Sequence, residues 1–133
     1  MWRSRRSLAG LAGARAIIII IAAVAAGAYW HDRGAHQRQQ RAAELTGGDP
    51  ARAPELMRHY GCVACHTVRG VAAPGGLLGP NLSDPEKLLT RKPQELIAYI
   101  VDPKSANPKS VMPRTGISEM EASDVVAYLL SLR

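Results

Sequence analysis

Residues 61–68, GCVACHTV, contain both cysteines of the 133-residue chain and one of its four histidines. Cys62 and Cys65 are separated by two residues, and His66 directly follows the second cysteine. A disulfide or thioredoxin-like thiol pair needs a βαβ setting, which this sequence does not predict. A tetrahedral zinc site needs further ligands at a suitable spacing. Neither of these two chemistries explains the adjacent histidine.

The C-x-x-C-H spacing is typical of covalent haem attachment. In this arrangement the two thiols add to the haem vinyl groups, and the adjacent imidazole is positioned to bind the iron from one side. One helical turn would span the two vinyl positions and present the imidazole inward. We therefore predict one haem c bound through Cys62 and Cys65, with His66 as an iron ligand. Attachment of this type belongs in an exported compartment.

The composition of the folded part also favours a bound cofactor. If folded sequence begins near Asp49, about 85 residues remain, close to the size at which an apolar core alone contributes only a few kcal/mol. That part contains three tyrosines and neither phenylalanine nor tryptophan. Because a porphyrin is a large apolar plate around which helices can pack, we expect the chain without haem to be largely unfolded.

The formal net charge of +6 comes entirely from the N-terminal part of the chain. Residues 1–41 contain seven arginines and one aspartate, which leaves ten of the 17 basic and ten of the 11 acidic residues in 42–133. A nucleic-acid-binding domain needs a basic face on its folded part. The balanced charge of residues 42–133 therefore argues against nucleic acid as a partner.

The strongest hydrophobic block, residues 16–30, follows Arg15 and an arginine-rich start that includes Arg3. Fifteen helical residues rise only about 22 Å, short of the roughly 30 Å hydrocarbon core, so a span must also use residues 8–14. We predict that residues 1–30 form a cytoplasmic start and a transmembrane anchor, with the remainder exported. The alternative is a cleaved signal peptide, because small residues at 23–25 and 26–28 both fit a cleavage site.

Residues 31–48 are polar and end in two glycines. They are predicted to form a linker that is partly helical over residues 36–45. His31 and His36 are five residues apart, which does not place them together on one helix face. We therefore expect both side chains to be solvated rather than bound to a metal.

Residues 49–133 contain three helical patterns. The first begins at Asp49, followed by proline, and runs to about Tyr60. The second covers residues 93–101. The third starts with a capping box formed by Ser118 and Glu121. Its apolar stripe consists of Val125, Tyr128 and Leu129.

Four stretches in order carry a resemblance to a known family. They are GCVACHTV, then GLLGPNLS from Gly76, then SVMPRTGIS from Ser110, and the terminal EASDVVAYLLSLR. Over residues 49–133 the chain resembles a monohaem class I cytochrome c of the membrane-anchored bacterial kind. This resemblance implies a small all-α fold around one covalent haem, without a sheet and preceded here by the transmembrane helix.

The resemblance implies that the sixth iron ligand is a methionine in a late loop, which is Met112 here. A soft thioether favours ferrous iron and closes the site to exogenous ligands. The alternatives are an open site, Met57, Met120 and His59. The family also implies that the carbonyl of Pro80 accepts the other N–H of the ligating imidazole, which fixes the tautomer of the ring.

The implied function is single-electron transfer rather than enzyme catalysis, with no catalytic residues. The implied partners are a quinol-oxidising cytochrome complex and a terminal oxidase, or a larger oxidase or dehydrogenase complex of which the chain is a haem subunit. The implied location is the bacterial inner membrane, with a single span and the haem domain on the periplasmic side. Signal cleavage would make the protein soluble and periplasmic. The alternative function is a haem enzyme or gas sensor with an open distal site.

Overall fold

A computed structural model describes residues 4–72, 76, 78–84 and 90–132, so Arg3 of the predicted cytoplasmic start lies outside the described part. The chain divides into two compact units, residues 1–36 and 37–133. Helix α1 comprises Ser4–Thr46, and the larger part of it belongs to the first unit. The described side chains of this unit are almost all exposed.

Helix α1 is long and apolar enough to cross a membrane, as judged by length and composition alone. Within its segment Gly13–Thr46, the most apolar 18-residue stretch has a mean hydropathy of 1.8, and none of that stretch is buried. An anchor and a signal sequence near the N-terminus both meet this test. The helix therefore agrees with either of the two interpretations of the N-terminal segment.

Helix α1 continues through residues 31–46, so it includes the predicted helical part, residues 36–45, and also residues 31–35. The segment 35–46 contains alanine, glutamine, arginine, glutamate and leucine, which are good helix formers, and it contains no proline. The helix ends before Gly47, which has a φ of 73° and whose N–H donates to the carbonyl of Ala43 at 2.7 Å. Within the second unit, Ala42 of α1 is buried in the core.

The second unit contains five further helices in its described part. They are α2 (Ala53–His59), α3 (Cys62–Cys65), α4 (Pro93–Val101), α5 (Pro103–Ala106) and α6 (Glu119–Ser131). The described residues contain no strand. The prediction of an all-α fold is confirmed.

Helix α2 begins later than the sequence predicts, at Ala53 rather than next to Asp49. A helix that started at Pro50 would need the N–H of residue 54 as a donor to the carbonyl of residue 50. Residue 54 is a proline and has no N–H. Asp49 instead closes a turn, since its Oδ1 accepts a hydrogen bond from the N–H of Ala51 at 2.9 Å.

The other two predicted helices are confirmed. Helix α4 has the predicted bounds, and α6 follows a capping box in which the Ser118 side chain accepts from the N–H of Glu121. Helix α6 contacts both α2 and α4, and the core between them includes Met57, Ile97 and Val126. Tyr128 is only partly buried, because its hydroxyl reaches the surface and donates to the carbonyl of Arg69 at 2.8 Å.

Candidate functional site

Helix α3 places the two cysteines and the adjacent histidine on a single turn. Gly61 precedes it with a φ of 71°, a conformation that glycine adopts without strain. The N–H of His66 donates to the carbonyl of Cys62 at 3.0 Å, and the backbone of His66 is extended. Cys62 and Cys65 are both partly buried, and neither forms a disulfide. This geometry leaves two thiols available at the predicted attachment spacing.

The zinc interpretation is not supported within the described part of the chain. No group of three or more His, Cys, Asp and Glu side chains there is arranged to hold a metal ion. Burial raises the pKa of the Cys62 thiol, and the nearby Cys65 adds to this effect against an opposing backbone hydrogen bond. A raised pKa favours the neutral thiol at Cys62.

A loop after α3 fixes the imidazole of His66. The ring nitrogen Nδ1 lies 2.8 Å from the carbonyl oxygen of Pro80. The N–H of Gly79 donates to the carbonyl of Cys65 at 2.8 Å, and the N–H of Gly76 donates to that of Val63 at 3.3 Å. When Nδ1 carries the proton and donates to Pro80, the other nitrogen, Nε2, presents a lone pair. The imidazole is therefore in the tautomer that can bind iron through Nε2.

Two glycines allow this loop to approach α3 closely. A Cβ atom at Gly79 would overlap with the ring of His66, and one at Gly76 would overlap with the backbone of Ala64 and Cys65. The sequence interpretation named Pro80 but not these contacts. The spacing G-x-x-G-P is the signal that could have indicated them. Two free thiols on one turn and an oriented imidazole fit a covalently bound haem.

Met112 lies in a non-helical segment, residues 107–118, that is attached to helix α4. The Met112 side chain is partly exposed, and its N–H donates to the Oγ of Ser110 at 3.3 Å. The Ser110 hydroxyl is buried and lies 2.8 Å from the hydroxyl of Tyr99 on α4. On the other side of Met112, Arg114 forms an ion pair with Asp102 at the end of α4.

The alternative ligands occupy different environments. Met57 is fully buried in the core between helices, whereas Met120 is 68% exposed on the surface of α6. His59 is exposed and packs edge-on against the ring of Tyr60, with the ring centres 4.8 Å apart. Met57 therefore already has a packing role.

The helices and the turn that carries both cysteines agree with a small haem-binding domain. A family model described as cytochrome c matches residues 50–133, which is more than half of the chain. The chain therefore belongs to the cytochrome c family. This family binds haem c covalently, together with its iron, which is the predicted cofactor. Cytochrome c domains transfer electrons through this haem. No curated protein matches the chain.

Proposed function

We propose that this protein is a single-electron carrier in which His66 and Met112 would hold the iron of one haem. The haem, when bound, supplies the one-electron exchange between the ferric and ferrous states. The observation that carries the proposal is the 2.8 Å contact between Nδ1 of His66 and the carbonyl of Pro80. This carbonyl holds the ring in one tautomer and increases the basicity of Nε2.

The role of Met112 is supported by the chemistry of its side chain and by the attachment of its loop. A thioether favours ferrous iron and raises the reduction potential, which suits an electron carrier. The loop is bound to α4 through the Ser110 hydroxyl on one side and Arg114 on the other. Such attachment limits the freedom of the methionine to leave the iron, and it supports a closed site rather than an open one.

The ligand assignment can be tested with two methionine variants. Met112→Ala is expected to remove the weak absorption at the red end of the ferric spectrum that arises from charge transfer between methionine and iron. It is also expected to let carbon monoxide bind readily to the ferrous protein. Met120→Ala is the matched control, since this side chain lies on the surface, and its spectrum should equal that of the wild type.

Two outcomes would overturn this proposal. If Met112→Ala kept the charge-transfer absorption, the ligand would be another residue. If the wild-type protein lacked the absorption and bound carbon monoxide readily, a haem enzyme or gas sensor with an open distal site would be the better assignment.

The proposed location is the bacterial inner membrane, with the haem domain on the periplasmic side. The support consists of the apolar helix α1, the arginine-rich start and the exported compartment that covalent haem attachment requires. The proposed partners are a quinol-oxidising cytochrome complex and a terminal oxidase, or a larger oxidase or dehydrogenase complex that contains the chain as a haem subunit.

The location can be tested by the intact mass of the protein purified from membranes. A retained anchor predicts that the N-terminal segment is still present. A mass that corresponds to a start after Ala25 or Ala28 would show that the segment is a signal peptide.

A further inference from the structure

Asp102 lies at the junction of three segments. It ends helix α4, where its N–H donates to the carbonyl of Ala98 at 2.9 Å. It also begins helix α5, where its Oδ1 accepts from the N–H of Ser105 at 3.3 Å. Its second oxygen, Oδ2, pairs with the guanidinium of Arg114. One carboxylate therefore connects the two helices to the segment that follows Met112.

The Asp102–Arg114 ion pair is one of two attachments that flank Met112 symmetrically in sequence. Ser110, two residues before Met112, is bound to Tyr99 on α4. Arg114, two residues after it, is bound to Asp102 at the end of the same helix. If the attachment after Met112 breaks, residues 112–114 are released from α4 on that side while the Ser110 contact remains.

We propose that Asp102 and Arg114 are positioning residues whose ion pair holds Met112 on the haem iron and limits the rate at which the methionine leaves it. This inference rests on the proposed ligation of iron by Met112. Neither residue is an iron ligand in this proposal, and both act through the backbone of residues 112–114. The pair thereby controls the access of small external ligands to the iron.

The exposure of the two side chains sets the expected size of the effect. The Asp102 side chain is 30% exposed and that of Arg114 is 69% exposed. Exposed ion pairs are individually weak and are screened by salt. Loss of the pair should therefore raise the rate of loop opening only about 2- to 5-fold, and high salt should produce a similar increase in the wild-type protein.

The test is the rate at which excess imidazole replaces methionine in the ferric, full-length haem protein. At saturating imidazole this rate is limited by the departure of the methionine, so it reports opening of the loop. Arg114→Gln and Asp102→Asn should each raise the limiting rate about 2- to 5-fold, and the double variant should show no further increase, because both changes remove one interaction. Salt should accelerate the wild type and leave the variants almost unchanged.

Lys109→Gln is the matched control, because it removes one positive charge from the same loop without touching the ion pair. Its limiting rate should equal that of the wild type. The charge-transfer absorption of each resting variant verifies that the methionine is still bound before imidazole is added. Arg114→Lys retains the charge, so its limiting rate should lie between that of the wild type and that of Arg114→Gln.

The outcomes separate this inference from the proposed function. A normal charge-transfer absorption, together with an Arg114→Gln rate equal to the wild-type rate, would overturn the positioning role alone. Additive increases in the double variant would also overturn it, because the two residues would then act independently. A wild-type protein without the absorption would overturn ligation by Met112 and the positioning role with it.

Discussion

At the scale of single residues, the orientation of His66 depends on the absence of a side chain at Gly79. The Cα atom of Gly79 faces the imidazole so closely that a Cβ atom would overlap with Cε1 of the ring. The N–H of the same glycine is bound to the carbonyl of Cys65. The loop therefore positions the ring by steric contact as well as through the hydrogen bond from Nδ1 to Pro80.

We predict that Gly79→Ala displaces the imidazole and destabilises the haem protein by about 1–3 kcal/mol, the usual cost of overpacking. Denaturant unfolding measures the loss, and the visible spectrum reports the change at the iron. Gly27→Ala is the control, because a Cβ there meets no atom within 4 Å. Wild-type stability and an unchanged spectrum in Gly79→Ala would contradict the steric role of this glycine.

Local sequence spacing predicts only part of the residues in the site. The C-x-x-C-H pattern predicts Cys62, Cys65 and His66, because all three lie within one helical turn. The pair of Asp102 and Arg114 is not predicted, since the two residues are twelve positions apart and meet only when the loop folds back on α4. Contacts of this kind depend on tertiary structure and leave no periodic signal in the sequence.

At the scale of elements, the carboxylate of Glu121 in the first turn of helix α6 accepts hydrogen bonds from several groups. The Glu121 side chain accepts hydrogen bonds from the hydroxyl and the N–H of Ser118 at 2.6 and 3.1 Å, and from the hydroxyl of Tyr60 at 3.0 Å. These contacts, with the Ser118 hydroxyl as the largest cause, lower the pKa of Glu121 below its ordinary value of 4.5. The same carboxylate raises the pKa of Tyr60.

A lowered pKa means that the folded protein prefers the ionised carboxylate. The stability that this preference contributes is present above pH 4.5, the ordinary value, and is lost as the pH falls through the lower pKa of the folded state. We predict that Tyr60→Phe lowers the thermal midpoint at neutral pH, and that its difference from the wild type narrows as the pH falls below 4.5.

Thermal unfolding as a function of pH tests this prediction, with Tyr128→Phe as the control. The hydroxyl of Tyr128 donates to a backbone carbonyl rather than to a carboxylate, so its removal should lower stability by the same amount throughout the acid range. An identical pH profile for the two variants would contradict the role of the Tyr60–Glu121 contact.

A buried carboxylate on α6 binds the chain segment that precedes α2. Asp124 is 2% exposed, and its Oδ1 accepts from the N–H of Asp49 at 2.7 Å. A guanidinium nitrogen of Arg52 lies 2.9 Å from Oδ2, but Oδ2 accepts no hydrogen bond from the described residues. The contact with Arg52 is therefore a charge interaction, and the hydrogen bond to Asp49 fixes the chain after Gly48.

We predict that Asp124→Ala destabilises the haem protein by about 1–3 kcal/mol, because the N–H of Asp49 loses its acceptor in a partly buried contact. Asp124→Asn keeps an acceptor oxygen and should cost less. Denaturant midpoints of the two variants give the comparison. Equal losses would show that the charge interaction with Arg52, rather than the hydrogen bond, stabilises this connection.

Element boundaries follow from the sequence where a local signal sets them. Pro93 and the Ser118 capping box mark the starts of α4 and α6, and both predictions are confirmed. The start of α2 is predicted wrongly, because Pro54 lacks the N–H that a helix from Pro50 requires. For α1, the helix over residues 36–45 is predicted, but its continuation through residues 31–35 is not, because that stretch contains histidine, aspartate and glycine, which have low helix propensity.

At the scale of the whole molecule, the core of the second unit consists mainly of small side chains. Among the residues that the structure describes, alanine and valine supply nine of the fifteen buried hydrophobic residues. Such a core contributes little free energy for a domain of this size. The haem would add a large apolar surface around which these helices pack.

We predict that residues 37–133 fold only when haem is bound. Far-UV circular dichroism of the Cys62→Ser/Cys65→Ser double variant of this segment should show low helicity and no cooperative thermal transition. The haem-bound wild-type segment is the control. Native helicity in the variant without haem would show that the protein core is sufficient by itself.

Mass analysis of peptides from the mature protein measures covalent haem attachment itself. We expect the peptide containing residues 61–68 to carry the mass of one haem, and neither of its thiols to react with an alkylating reagent. A peptide of unmodified mass with two reactive thiols would contradict covalent haem attachment, and with it the assignment of His66 and Met112 as iron ligands.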